Sequence, residues 1–234
     1  MKLPVKTTTG TILKRYKRFL ADITLDSGEI VVAHVPNTGS METCWEPGWK
    51  VILSESDNPN RKLKYTLEML HNGTTWIGVN TGNPMKIVME ALKNKMIPEL
   101  ALYDDIKPEV KIGDSRIDLL LKNSNKEECY VELKNVTLLG DNNVALFPDS
   151  VSDRGSKHLH ELMKIKKSGT RAVMLFIIQR QDVNHFSPAH LIDPAYAKNL
   201  KEAYQNGVEI LCYQCDLSPD GIELKGRLNF TLLS

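Results

Sequence analysis

The chain has no excess of charge of either sign. Thirty lysines and arginines face 29 aspartates and glutamates, for a formal net charge of +1. That excludes a histone-like protein held to nucleic acid by bulk charge, though not a local basic patch balanced by acids elsewhere. Long apolar runs are also missing. The longest, residues 172–178, is too short to span a bilayer, and its β-branched and aromatic content reads as a buried strand. Residues 1–6 contain no apolar leader segment. Cysteine is sparse and scattered, at Cys44, Cys129, Cys212 and Cys215. The Cys212–Cys215 pair has no second C-x-x-C and no His-x-x-His to complete a zinc site, so these read as ordinary core and surface thiols. Internal repeats, low-complexity tracts and a helix-turn-helix signature are absent, and with the last goes support for promoter-specific reading. These absences predict a cytoplasmic protein in a reducing compartment, with no membrane partner.

What remains is a globular composition: 234 residues, 41% hydrophobic and 25% charged, enough for one large or two small domains with a self-sufficient core. The first eighty residues read as short strands, at 11–13, 19–25, 30–35, 49–54 and 76–79, separated by turn-forming Gly, Pro, Asn and Asp. Five strands at this spacing predict a small closed barrel of the OB type. After Asn83-Pro84 the pattern changes. Helical spacing covers 85–95, 154–167 (with Asp153 as cap) and 193–206, and strands are expected at 117–122, 129–136, 172–179 and 208–213. The expected fold class is therefore α/β (α+β), with a barrel over 1–82 and a mixed-sheet domain over 83–234.

The informative stretch is the pair of strands joined by the polar loop 123–127. Alternation places Arg116, Asp118 and Leu120 on one face, with Tyr130, Glu132 and Lys134 on the matching face of the second strand. If the loop closes symmetrically about Asn125, Asp118 stands across from Glu132 and Arg116 across from Lys134. Two carboxylates facing one another repel. One resolution is a pair of ion pairs, with Arg116 and Lys134 as partners. The other is a divalent cation, Mg²⁺ or Mn²⁺, on Asp118, Glu132 and the Leu133 carbonyl, with Lys134 placed to act on bound water or on a phosphate.

Asp118, Glu132 and Lys134 resemble the D, E and K of the PD-(D/E)xK nuclease motif. More specifically, the segments 15–20 (RYKRFL), 34–41 (HVPNTGSM), 115–118 (SRID), 130–138 (YVELKNVTL), 147–151 (FPDSV), 154–159 (RGSKHL) and 186–189 (FSPA) resemble the sugar fermentation stimulation protein A family, in order along nearly the whole chain. Leu133 and Asn135 stand where Val and Ser are usual, and neither change removes a proposed ligand. The resemblance implies an N-terminal OB-like domain, a C-terminal nuclease-like domain and DNA rather than RNA as partner. It implies a metal-dependent nuclease or, as the alternative, a catalytically silent DNA-binding regulator of sugar (maltose) metabolism genes. It further implies a carboxylate ahead of the first hairpin strand, for which Glu109 is the candidate third metal ligand. Pro108 makes a helix there doubtful, and a solvated carboxylate is the competing reading.

Candidate nucleic-acid contacts are Arg15, Tyr16, Lys17 and Arg18 on the barrel, Arg116 on the hairpin, and Arg154 and Lys157 at the start of the second helix. Tyr16 is available to stack on a base, and strand alternation would put Arg15 with Lys17 on one side. A solvated strand edge explains the same cluster equally well. Arg154, Lys157 and His158 share a helical face, where two cations could hold a phosphate and His158 transfer a proton. Residues 36–39 and Asp149 read as turns, His34 is open between core and ligand, and the chain is open between monomer and homodimer.

Overall fold

The computed structural model describes residues 1–4, 6–113 and 115–232. The first unit comprises β1 (Thr7–Tyr16), β2 (Leu20–Leu25), β3 (Ile30–His34), β4 (Lys50–Glu55), β5 (Tyr65–His71) and β6 (Trp76–Gly78). Their order is β3-β2-β1-β4-β5-β6, and a parallel β3–β5 pairing closes the first five into a barrel. Alternation drives the closure: Ile12, Ala21, Ile23, Ala33, Val51 and Leu53 point inward with no exposure.

The expected number of barrel strands is right, but the fifth strand is β5, and residues 76–79 supply β6 outside the ring. The β5 sequence does not alternate because both of its faces are covered: Leu67 and Leu70 enter the barrel core, while Met69 joins a core shared with the second unit. Its one carboxylate, Glu68, is buried and satisfied by the Ser54 hydroxyl (2.7 Å) and the Asn80 and Asn83 side-chain amides (2.8 and 3.0 Å).

The second unit follows in the order α1 (Asn83–Lys93), β7 (Asp105–Ile112), β8 (Ser115–Lys122), β9 (Glu128–Val136), β10 (Leu138–Leu139), β11 (Val144–Phe147), α2 (Asp153–Lys167), β12 (Arg171–Ile178), β13 (His185–Pro188), α3 (Pro194–Gln205), β14 (Glu209–Ser218), β15 (Gly221–Arg227) and β16 (Asn229–Phe230). Its main sheet runs β15-β14-β12-β9-β8-β7, parallel along β9-β12-β14 and antiparallel elsewhere, and β10, β11, β13 and β16 form a small second sheet. The fold is thus an OB-type barrel followed by a mixed-sheet α/β domain. Helix α1 covers one face of the main sheet and α2 with α3 the other, so the central β12 is apolar on both sides. The same cover explains the cysteines. Cys212 and Cys215 point to opposite faces of β14, and both are buried free thiols rather than one core and one surface residue.

Two local differences from the sequence reading matter for the site. Helix α2 is capped by Ser152, whose Oγ accepts the Gly155 N–H at 2.9 Å, not by Asp153. The β7–β8 hairpin crosses between the two cores: Leu119 and Leu121 lie under α1, whereas Ile117 joins the α2–α3 side. Simple alternation would give these three residues one face, and that face breaks at Asp118. The units are joined by backbone pairing, with the Gly78 N–H donating to the Gln179 carbonyl at 2.9 Å and Ile77 bridging Arg180. A Cβ at Gly78 would meet the end of the buried Gln179 side chain, so an alanine there would need that amide to shift. No helix among the described residues is long and apolar enough to cross a membrane.

Candidate active site

The β8–β9 register is the one a loop symmetric about Asn125 requires: Leu119 pairs with Val131, Leu120 with Tyr130, Leu121 with Cys129 and Lys122 with Glu128. The loop keeps this register because the Asn123 side-chain oxygen accepts the N–H groups of Asn125 and Glu127, both at 3.0 Å. The ladder stops one rung short of Asp118 and Glu132. There the Leu133 N–H donates to Asp118 Oδ2 (2.8 Å). Asp118 and Glu132 are thereby brought together where the strands part, beneath the start of α2.

Glu132 is 1% exposed. Its Oε1 accepts from Lys134 Nζ (2.6 Å) and from His158 Nδ1, and Lys134 Nζ lies 3.1 Å from the same imidazole nitrogen. Its Oε2 is buried with no hydrogen-bond partner among the described residues. Burial pushes the Glu132 carboxyl up, but the His158 hydrogen bond and the Lys134 charge outweigh it and hold the group below its ordinary value. Asp118 goes the other way. Burial first, then the charge of Glu132, raise it, and the Leu133 N–H and the Lys134 charge only partly offset them. Among the described residues Asp118 has no ion pair within 4 Å, because Arg116 turns instead to Glu109 (3.4 Å). The two expected ion pairs are thus half realised, at Glu132 alone. One carboxylate is neutralised on a single oxygen, and the ionised form of its neighbour is disfavoured by burial and by that charge.

No three His, Cys, Asp or Glu side chains among the described residues are arranged to hold a metal. The donors on offer are two carboxylates and main-chain oxygen, a hard-oxygen set of the kind Mg²⁺ and Mn²⁺ accept. Glu109 does not join them. It lies within β7, not on a helix, at φ +53°, and its exposed carboxylate faces Arg116. The expected role as third ligand is corrected accordingly, for the chain turns outward at that residue.

Beside Lys134 opens a cleft of about 350 Å³, with Asn37, Thr38 and Thr81 on the barrel side and Lys134, Asn135 and Arg154 on the other. The sequence reading gave residues 36–39 only a turn. What it could not see is that Arg15, expected to face nucleic acid, is half-buried and donates to the carbonyls of Asn37 (3.1 Å), Gly39 (2.9 Å) and Ser40 (3.0 Å). Asp149 completes the docking: its Oδ2 accepts the Met41 N–H (3.2 Å) and its carbonyl the Ser40 hydroxyl (2.8 Å). A Cβ at Gly39 would fall on the Asp149 carboxylate, which cannot swing aside without losing Met41. Gly39→Ala is expected to destabilise the protein by about 1–3 kcal/mol and to speed hydrogen exchange over residues 36–41. Unchanged exchange there would show that the contact does not hold the loop.

The remaining basic candidates divide. Lys17 and Arg18 sit in the β1–β2 turn with φ +50° and +65°, so the expected strand alternation does not extend to them. Both are exposed, next to the exposed Phe19. Tyr16 donates to Asp22 (2.9 Å) beneath the Lys14 ammonium. Arg116 and Lys157 are exposed, and Arg154 Nε reaches His158 Nε2 at 3.5 Å. Tyr196 was missed. Its hydroxyl is fully buried without a hydrogen-bond partner among the described residues, and burial and then the charge of Glu132 push it well up.

With this geometry in hand, comparison with known proteins is decisive about family. The model of the sugar fermentation stimulation protein RE domain matches residues 82–221, and that of the SfsA N-terminal OB domain matches residues 13–79. The chain belongs to the sugar fermentation stimulation protein family. A homologue from Geotalea uraniireducens is 51% identical over 230 residues, covering 98% of this chain and 99% of its own. One from Pseudoalteromonas atlantica is 50% identical over 223 residues, covering 94% of each. Among solved structures, Pyrococcus furiosus SfsA in complex with Ca²⁺ has 29% identity and a TM-score of 0.89, covering 99% of both chains.

Proposed function

We propose that this protein is a divalent-metal-dependent nuclease that hydrolyses phosphodiester bonds in DNA, with Mg²⁺ or Mn²⁺ as its ion. The observation that carries the reading is the unpartnered Glu132 Oε2 beside a raised, unpaired Asp118. Two such carboxylates are a poor structural choice without a cation between them. Asp118, Glu132 Oε2 and the Leu133 carbonyl would hold the ion, which when bound supplies an acidified water and charge neutralisation at the phosphate. A relative of the same fold takes up Ca²⁺, which seeks the same oxygen ligands.

The chain's own groups then have distinct work. Lys134, fixed between Glu132 and His158, presents a cation to the cleft and offsets charge developing on a phosphate. His158 holds Glu132 Oε1, so that Oε2 stays available. This is a positioning role in place of the proton transfer its residue type invites. Arg154, at the rim, orients the phosphate. The barrel loop 36–41 closes the cleft from the other side, so the barrel helps to shape the place where DNA would enter.

The test uses labelled single-stranded DNA, duplex DNA and RNA, each with Mn²⁺ or with EDTA. Cleavage of DNA in Mn²⁺ alone is expected. DNA bound in both media and cut in neither would favour the second reading, a silent DNA-binding regulator. One observation favours that alternative: Lys134 and His158 already neutralise Glu132 Oε1 without an ion.

A further inference from the structure

The outer side of α2 carries an arrangement that the active-site reading does not use. The helix holds five lysines and arginines against two acids in fifteen residues, within a chain whose net charge is +1. Lys157, His160, Lys164 and Lys167 follow three- and four-residue steps, so they form one ridge. They line a broad, open groove of about 950 Å³ between α2 and α3. Two acids, Glu161 and Glu202, share the groove. Glu161 is only 13% exposed, while its partner Lys164, 2.9 Å away, is 73% exposed, so the acid lies in the wall and the cation at the rim.

Helix electrostatics explain only half of this pattern. Lysines in the last turn complement the negative C-terminal end. Arg154, in the first turn, stands at the positive end, where helix electrostatics do not call for a cation. Arg154 also lines the cleft with Lys134, so the ridge begins at the candidate active site. From Arg154 to Lys167 the helix rises about 20 Å, the span of about six phosphates on one strand at 3.4 Å each. The ridge has no Phe, Tyr or Trp on which an unpaired base would stack. We infer that the α2 ridge is the track for the phosphate backbone of duplex DNA flanking the candidate active site. The inference takes the nucleic-acid partner from the proposed function and adds the form of the partner and the path it follows.

The test is binding without cleavage. A fluorescent duplex long enough to cover α2 is titrated in EDTA with wild type and with the double variant Lys164→Gln/Lys167→Gln over a range of salt. Each lost phosphate contact should flatten the slope of log affinity against log salt by about 0.9, so a change of about 1.8 and a roughly 60-fold weaker affinity near 0.1 M salt are expected. Lys225→Gln, an exposed cation on β15, should change neither. A double variant with the wild-type slope overturns the ridge and leaves the nuclease reading intact. A flattened slope in a protein that never cleaves supports the ridge and sinks only the hydrolytic reading. A wild type that binds no duplex overturns the ridge outright.

Discussion

Glu132→Gln and Asp118→Asn proteins are each expected to lose Mn²⁺-dependent DNA cleavage by on the order of 10²–10³-fold, yet to move the stability of the metal-free protein in opposite directions. Glu132 is the counter-charge for Lys134 and His158 in a buried setting, and its own pKa is held below the ordinary value by them. Glutamine keeps the shape and removes the charge, leaving the Lys134 ammonium facing a neutral amide, so melting temperature should fall. Burial, and then the charge of Glu132, both disfavour the ionised form of Asp118. Asparagine can still accept the Leu133 N–H through its carbonyl oxygen while the repulsion disappears. Its metal-free melting temperature should hold or rise. A bound ion should then stabilise only the wild type. At a hundredfold excess over the dissociation constant the gain is about 2.7 kcal/mol, which for a chain of this size raises melting by roughly 5–11 °C. Parallel melts with Mn²⁺ and EDTA check all three proteins. Equal metal-induced shifts in wild type and both variants would place the ion elsewhere and remove the basis of the proposed chemistry.

The hairpin was readable because its determinants are local. A five-residue loop, closed by Asn123, sets the register, and alternation along two short strands then places Asp118 and Glu132 together. The helices were readable to within about two residues for the same reason, since spacing and caps are local signals. The misses have the opposite character. Strand β5 is covered on both sides, so Thr66, Glu68 and their apolar neighbours show no period. Strand β7 is broken as a pattern by Pro108 and by the left-handed Glu109. The cleft depends on partners more than a hundred residues apart, Asp149 with Ser40 and Met41, and on Arg15 reaching three carbonyls. A basic side chain in sequence carries no mark of whether phosphate or main chain will take it. Arg15 went to the loop, while Arg154 and Lys157 remain at the surface.

The joint between the units sets up the second large effect. Asp182→Ala is expected to destabilise the protein by about 3–5 kcal/mol, the usual consequence of leaving one member of a buried ion pair alone. Arg180 is fully buried. Its Nε and Nη2 meet Asp182 Oδ1 and Oδ2 at 2.6 and 2.8 Å, and its Nη1 donates to the Thr137 carbonyl at 2.6 Å and to the Thr43 carbonyl at 3.3 Å. Asn72 of the barrel adds a bond to Asp182 Oδ2 at 3.2 Å. One guanidinium therefore ties barrel to sheet, immediately behind the residues that shape the cleft. Melting should fall by roughly 6–20 °C at neutral pH. Burial pushes Asp182 up, but the hydrogen bonds and charge of Arg180 overcome it and keep the carboxyl below its ordinary value. A depressed carboxylate stabilises fully above the unfolded pKa of about 4 and loses that contribution as pH falls through the folded one. The gap in melting temperature between wild type and Asp182→Asn should be widest near neutrality and close below about pH 4. Loosening the clamp should also release the barrel loop, so exchange over residues 36–41 should rise in Asp182→Ala without any change at that loop's own contacts. A variant that melts like wild type at neutral pH would assign the union of the two units to the Gly78–Gln179 pairing instead.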